Sequence, residues 1–498
     1  MADEWEELLS WLVSRLQFDL YVQYSANRAL GSFVLLLGIA ILVLFTKKIK
    51  EIYIDFLAIA YGYDLMRSRF KYGENVFHFH LFGNLVIGLR GQKARRVLFE
   101  EKNFSSSDGY KMFSKVVPIP EVTFAPEQED YTLAFKKHLG TLLGKDRLND
   151  IIVTMFRDIE RVMETWGEKG AMDPFNNIND IAFLLTVHMV TSDEFVSDLS
   201  ALSRFQSHFS RQLSSHTPGT IFFPWFYRTA QREREKSVMA LFNTLTEHIE
   251  ARKGRTAPTP EAVDLLLARG LNTQEIFQFI LGFLFGGAFN TTKATSWILL
   301  YLALHPQWGS TIRSEIETVL SRTSIDNSES MCSRLSSISV EDWESSMPTL
   351  DLVISETLRL VMNQTVLRRN MGEKLKIDGM GEIPRGAFLI YSNADAHLNP
   401  ELYPDPWTFN PQHFSQGKED DEYAFLGWGA GRHRCVGVKI AKLAIKAIVS
   451  SFIMTYEHDV ISSNRKVTSK TPIPDYNKIN NGHPKNGVYS ISYSRRVG

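Results

Sequence analysis

Cysteine is almost missing from this chain: its 498 residues include two, Cys332 and Cys435, far apart in sequence. That excludes the disulfide-stapled architecture of small secreted proteins and fits a reducing compartment. A surplus of one charge is missing as well. Lys plus Arg number 55 and Asp plus Glu 56, a net charge of −1. No bulk field draws the chain to nucleic acid, and no nucleic-acid partner is expected. Internal repeats are absent, and no convincing linker interrupts the chain. What it does have is length and 44% hydrophobic residues, enough for one large buried core.

Uncharged apolar runs of bilayer length are scarce too. Residues 29–45, ALGSFVLLLGIAILVLF, form one, and at the helical rise they span about 26 Å. Arg28 precedes the run and Lys47, Lys48 and Lys50 follow it, which puts the rest of the chain on the cytosolic side of a membrane. The expected organisation is an amphipathic segment and single-pass anchor in residues 1–50, with the transmembrane helix at 29–46, followed by one large unit at 51–498. A cleaved signal peptide fits poorly, because lysines rather than a small-residue site follow the run.

Beyond the anchor, apolar residues recur at every second position in 76–81 and 85–89, around Gly83-Asn84, the pattern of a hairpin. From about 139 to 318 the periodicity is helical, with long stretches at 149–166, 231–252 and 273–304. Loops are expected at 253–260, with two prolines, and at the Ser-rich 321–339. Extended segments return at 366–393, and the tail ends in an alternating run. The fold class that follows is mainly α with small β-sheets (α+β).

The chemistry gathers around Cys435. Gly427, Gly429 and Gly431 precede it, Gly437 follows, and residues 438–449 have unbroken helical spacing. A cysteine where a glycine-rich loop becomes a helix is placed to be a thiolate, because free backbone N–H groups and the positive helix end stabilise the anion. The glycines let the backbone approach a flat ligand. Arg432, His433 and Arg434 add positive charge suited to carboxylates. A lone cysteine is more often a small core residue, and this frame reverses that balance. Upstream, Glu356 and Arg359 stand three apart in SETLRL and share a helix face; alone, such a pair is an ordinary ion pair. Gly286 and Gly287 lie inside an apolar helix, where each costs about 1 kcal/mol relative to alanine. That cost points to a local need for small residues, with helix packing as the plain alternative.

The segment WGAGRHRCVG, residues 428–437, resembles the haem-binding signature of the cytochrome P450 family, with Cys435 in the place of the proximal thiolate ligand. Trp428 stands where the family has phenylalanine, and His433 where arginine is commonest. The resemblance implies a P450 fold in a single large domain and a haem b whose iron is held by Cys435. Arg432, His433, Arg369, Trp428, Gly429, Gly431 and Gly437 would frame that haem. FNPQHF resembles a second family element, and with SETLRL it implies that Glu356, Arg359 and His413 form a buried network supporting the cysteine loop. With His413 in an arginine's place, that network would be pH-sensitive. GGAFNTT resembles the distal helix, with Gly287 and Ala288 as small residues, Asn290 replacing the acid, Thr291 as the conventional threonine and Thr292 beside it. An amide is neither acid nor base, so proton delivery is expected to rest on Thr291, Thr292 and water. Two family elements are weak: no proline-rich hinge follows the anchor, and the propionate-binding helix reads YTLAFKKHLG, leaving Lys137 or His138 as substitutes.

The activity implied is a monooxygenase of secondary metabolism that inserts one oxygen atom from O2 into an apolar substrate, such as a terpenoid, sterol or other lipid. Electrons would come from an NADPH-dependent reductase at the endoplasmic reticulum membrane, with the catalytic domain facing the cytosol. Residues 220–228, TIFFPWFYR, resemble a loop that dips into the bilayer. Arg434, Lys439, Lys442 and Lys446 mark the expected reductase side. Asn290 keeps open a reductase-independent peroxide isomerase or dehydratase. A non-catalytic haem-binding protein is a third reading that no feature favours.

Overall fold

A computed structural model describes residues 62–70, 75–109, 130–214, 228–255, 259–323, 328–415, 423–462, 466–477 and 482–496. The expected anchor at 29–46 and the aromatic segment 220–227 lie outside these residues. Among the described residues no helix is long and apolar enough to cross a membrane.

Six helices position the site: α1 (Asp130–Leu142), α2 (Lys145–Met163), α3 (Pro174–Val190), α4 (Thr273–Leu304), α5 (Pro348–Val361) and α6 (Val438–Thr455). α4 begins at a capping box in which the Asn272 side chain accepts from the Glu275 N–H while the Glu275 carboxylate accepts from the Asn272 N–H. Those two bonds satisfy donors that a helix start leaves orphaned. α3 starts on Asp173, whose carboxylate accepts from the Phe175 N–H. α4 packs along α3, α5 and α6, and one apolar core fills the space between them, with Trp297, Ile298, Leu350, Ile448 and Phe452 fully buried. Burial of this kind is the main stabilising term, at about 25 cal/mol per Å².

Among the described residues the strands form three small sheets. The largest has the order β1 (Val76–Leu81), β2 (Asn84–Leu89), β8 (Phe388–Ser392), β5 (Thr365–Asn370), β3 (Phe104–Ser105), with β2 and β8 parallel and the other neighbours antiparallel. The expected hairpin is present, turning at Phe82 and Gly83 with φ of 51° and 77°, the left-handed pair that matches strand twist. β4 (Lys169–Met172), β10 (Tyr489–Arg495) and β9 (Tyr456–Ser462) form the second sheet, β6 (Leu375–Ile377) and β7 (Gly381–Ile383) the third. The Ser-rich stretch is not wholly loop. Met331–Ser336 is a short helix that drives Cys332 and Leu335 into the core, and Val340–Ser345 is a second. The architecture is the mainly α one expected, with its strands confined to sheet pieces that support loops.

Candidate active site

The loop before α6 is held from inside and outside. The Leu426 N–H donates to His397 Nε2 at 2.8 Å, and the Cys435 N–H closes back onto the Trp428 carbonyl at 2.7 Å. Gly429 and Gly431 have φ of 70° and 54°. A Cβ on Gly429 would sit 2.7 Å from the His433 carbonyl oxygen, and one on Gly431 2.6 Å from that of Phe99. Both space and φ demand glycine there. Gly437 differs, since its φ is −97° and an added Cβ would meet Ile440 at an ordinary 3.7 Å. Trp428 packs against the core beside Phe425.

Cys435 is exposed while Cys332 is buried. The lowered thiol expected from the loop is not found. Burial on its protein side pushes the Cys435 thiol up, and the Gly437 N–H and Arg434 charge offset only part of this. A metal cation bound at the sulfur would favour the thiolate. Cys332 is further from ionising, pushed up to about 12 by burial.

Beneath the loop lies the ion-pair network. Arg359 meets Glu356 through two parallel bonds of 2.7 Å, both side chains fully buried. Its remaining N–H groups reach the carbonyls of His397 (2.6 Å), Pro406 (2.7 Å) and Thr408 (3.2 Å). Glu356 Oε1 also accepts from the Asn410 N–H at 2.9 Å and faces His413 Nδ1 at 3.2 Å. His413 Nε2 lies 2.7 Å from the Pro404 carbonyl. Both ring nitrogens thus face oxygen acceptors, the donor pattern an arginine would offer. The residue that links this network to the cysteine loop is His397, which the sequence reading passed over. Its backbone accepts from Arg359, its Nδ1 bonds to Asn363 Oδ1 at 3.1 Å and its Nε2 accepts from Leu426.

Burial, with the Arg359 charge, pushes His397 down to about 3 from 6.5. His458 and His433 are likewise pushed down, each to about 4. A histidine that folds neutral takes up its proton more readily when unfolded, so stability is fully present above pH 6.5 and is lost as pH falls toward 3. We expect His397 alone to contribute a loss of about 1 kcal/mol per pH unit in that window. Urea denaturation from pH 7.5 downward checks this, with a flat profile as the contrary result.

The basic residues sort differently from expectation. Along β5, Arg368 is buried and Arg369 half-buried. Arg369 bonds the Gly386 carbonyl at 3.3 Å and stacks over Phe388. Arg368 instead lies in a cationic cluster: its charge, with those of Lys136 and Arg432, acts on His433 after burial in depressing that ring. Lys136 was not among the substitutes expected on α1; His138 of the same helix turns to Phe279 on α4. Like charges gathered around a half-buried ring are stabilised by an anion among them.

On α4 the rotation is also informative. Gly286 is exposed and Asn290 half-buried, and Asn290 Nδ2 donates to the Gly286 carbonyl at 2.9 Å. Thr291 and Thr292 are buried instead, with Thr292 Oγ bonded to the Ala288 carbonyl at 2.8 Å and facing Asn179 of α3 at 3.4 Å. Gly287 is pressed against Thr186 of α3, which an added Cβ would meet at 3.0 Å. So Asn290 and Gly286 occupy the open face of α4, and Thr291, expected there, packs inward.

Of the four cations at and before α6, Lys446 is buried, bonded at 2.8 Å to both the Trp343 carbonyl and Asp351. Lys442 lies 3.5 Å from Asp351. Lys439, 73% exposed, pairs with Glu344 at 3.2 Å, and Arg434 is exposed. They border a cavity of about 480 Å³ also lined by Trp343, Trp428 and Gly429. An exposed sulfur, a glycine-framed loop and a cluster of cationic side chains around His433 together fit the iron, ring and propionates of a haem.

A family model described as Cytochrome P450 matches residues 63–477. Cytochrome P450 monooxygenase AacuE of Aspergillus aculeatus is 28% identical over 76% of this chain and 78% of its own. Cytochrome P450 monooxygenase nsrP of Aspergillus novofumigatus is 26% identical over 79% of this chain and 78% of its own. Among solved structures, retinoic-acid-bound cyanobacterial CYP120A1 superposes with a TM-score of 0.68 at 20% identity, covering 89% of this chain and 96% of that one.

Proposed function

The chain belongs to the cytochrome P450 family, and from that premise we propose that it oxidises an apolar, lipid-like substrate of secondary metabolism with electrons from an NADPH-dependent reductase. The observation that carries this is Cys435, the exposed one of two thiols, in a loop clamped by His397 and the Glu356–Arg359 network. Bound haem supplies the reduction of dioxygen and the transfer of one oxygen atom to the substrate. The protein's own residues hold and orient. Cys435 Sγ is the iron ligand, while Arg368, rather than Arg369, joins Lys136, Arg432 and His433 in offering N–H groups to the propionates. Asn290 Nδ2 occupies the Gly286 carbonyl and leaves Oδ1 as an acceptor on the open face. Thr291 is buried and Thr292 joins α4 to α3, so hydrogen bonding to the reacting atoms falls to Asn290.

The charge flanks of residues 29–46 support a membrane anchor with the catalytic unit in the cytosol. For the reductase, the exposed Lys439 beside the cavity near the cysteine loop is the docking charge, whereas Lys446 is structural. Lys439→Glu is expected to slow reductase-driven turnover several-fold, most at low salt, and to leave peroxide-driven turnover unchanged. An unchanged reductase-driven rate would place docking elsewhere, and equal losses in both assays would mean that the substitution damaged the haem site itself.

The reading as a whole is tested by supplying reductase, NADPH and a panel of terpenoids, sterols and fatty acids. Product carrying one atom of labelled dioxygen is expected. Turnover of a fatty acid hydroperoxide without reductase, and of nothing with it, would establish the isomerase instead.

A further inference from the structure

The stripe of α4 that is open at Gly286 and partly open at Asn290 closes one turn later over a buried residue that the chemistry above does not use. Gly282, Gly286, Asn290 and Lys293 fall at i, i+4, i+8 and i+11, one stripe of a helix. Between Glu275 in the first turn and Tyr301 near the end, Lys293 is the sole ionisable side chain of α4. It is 7% exposed.

Charges buried to this degree are normally paired. Arg95 faces Asp395, Arg252 faces Asp264, Arg359 faces Glu356 and Lys446 faces Asp351. Lys293 has no hydrogen bond and no ion pair among the described residues. Its stem is fixed from above: a Cβ on Gly482 would lie 3.6 Å from Lys293 Cγ and 3.3 Å from the Phe175 ring. Trp297, four residues on, holds that segment by donating its indole N–H to the Gly482 carbonyl at 2.7 Å. The amine therefore has a covered stem, a place on the stripe of Gly286 and Asn290, and no partner among the described residues.

We propose that the substrate is an amphiphile with a carboxylate head, and that Lys293 Nζ binds this head at the α4 end of the substrate space. The proposal rests on the monooxygenase reading above and deepens it by naming the substrate class. An ammonium lined up with an apolar face recognises an anion because it exchanges an unpaired buried charge for a charge-assisted hydrogen bond. Holding the head there orients the apolar body along α4 past Asn290. Burial pushes the Lys293 amine down to about 8, opposed by the field of Asp475. Asp475, in the C-terminal segment, is the charge whose field reaches the amine. Carboxylate binding therefore has to weaken as pH rises through about 8, since only the ammonium pairs with it.

The test uses the full-length, haem-loaded enzyme and matched probes, palmitic acid with methyl palmitate and abietic acid with methyl abietate. Affinities are read by calorimetry and by the ligand-induced change in the haem spectrum, for wild type, Lys293→Met and Lys293→Arg. At least one acid is expected to bind about 10- to 100-fold tighter than its ester. That preference should vanish in Lys293→Met, survive in Lys293→Arg, and fade above pH 8 in the wild type but not in the arginine variant. Acetic anhydride labelling gives a readout without turnover: Lys293 should react with a midpoint near pH 8 and be protected by bound acid. Esters binding as tightly as acids, no acid binding, or a preference that persists in Lys293→Met would each overturn the proposal. If Lys293→Met kept the preference and lowered product per NADPH, the residue would deliver protons instead, and the proposal would equally fail. A carbon-monoxide spectrum of each sample shows separately whether the haem-thiolate reading itself holds.

Discussion

Arg359→Ala is expected to yield protein almost devoid of haem. The guanidinium makes two bonds to Glu356 and three to the carbonyls of His397, Pro406 and Thr408, and its removal strands a fully buried carboxylate. Breaking one partner of such a pair costs about 3–5 kcal/mol, a large share of the stability of a folded domain. The damage is also directed. His397, whose carbonyl Arg359 holds, is the acceptor for the first N–H of the cysteine loop, so the strain arrives at the iron ligand. Arg359→Lys keeps the charge but loses the planar fork and at least two bonds, and should fall nearly as far. Haem content per polypeptide after purification measures this, and a wild-type ratio in Arg359→Ala would mean the network does not support the loop.

Gly431→Val should give the second largest effect, by a different route. Gly431 sits at a φ of 54° with the Phe99 carbonyl 2.6 Å from where a Cβ would go. A β-branched residue pays about 1–2 kcal/mol for the left-handed backbone, and the overlap adds to it by forcing the loop off the helix Gln92–Glu100. Because the strain is confined to the loop, far-ultraviolet circular dichroism should be unchanged while haem retention collapses. Gly437→Ala is the control, since its φ and surroundings accept a methyl group on the protein side. If Gly431→Val retained haem while Gly437→Ala did not, the loop's steric account would be inverted.

Elements whose signal is local could be read from the sequence. The hairpin at Gly83, the helical stretch 273–304 and the Gly-X-Gly frame of Cys435 each depend on neighbouring residues, and each appears where the pattern puts it. Rotations and faces depend on distant partners and could not be read. Strand alternation says that Arg368 and Arg369 point oppositely, but which one enters the protein is set by the pairing of β5 with β8 and β3. Similarly, Asn290, Thr291 and Thr292 of α4 could each have been the open one. Packing of Gly287 against Thr186 and of Thr292 against Asn179 turns Asn290 outward and Thr291 inward. His397 carried no signal at all, because its importance lies in contacts with Asn363, 34 residues away, and Leu426, 29 away. The lysines of α6 looked alike in sequence, and only Asp351 on α5 separates buried Lys446 from exposed Lys439.

The central claim is that Cys435 holds the haem iron, and the carbon-monoxide difference spectrum of the reduced protein tests it most directly. Wild type and Cys332→Ser should both show the red-shifted band of a thiolate-ligated haem, because Cys332 is buried with a thiol pushed up to about 12. Cys435→Ser should lose that band whether or not haem remains bound. A thiolate band that persisted in Cys435→Ser, or disappeared in Cys332→Ser, would contradict the account.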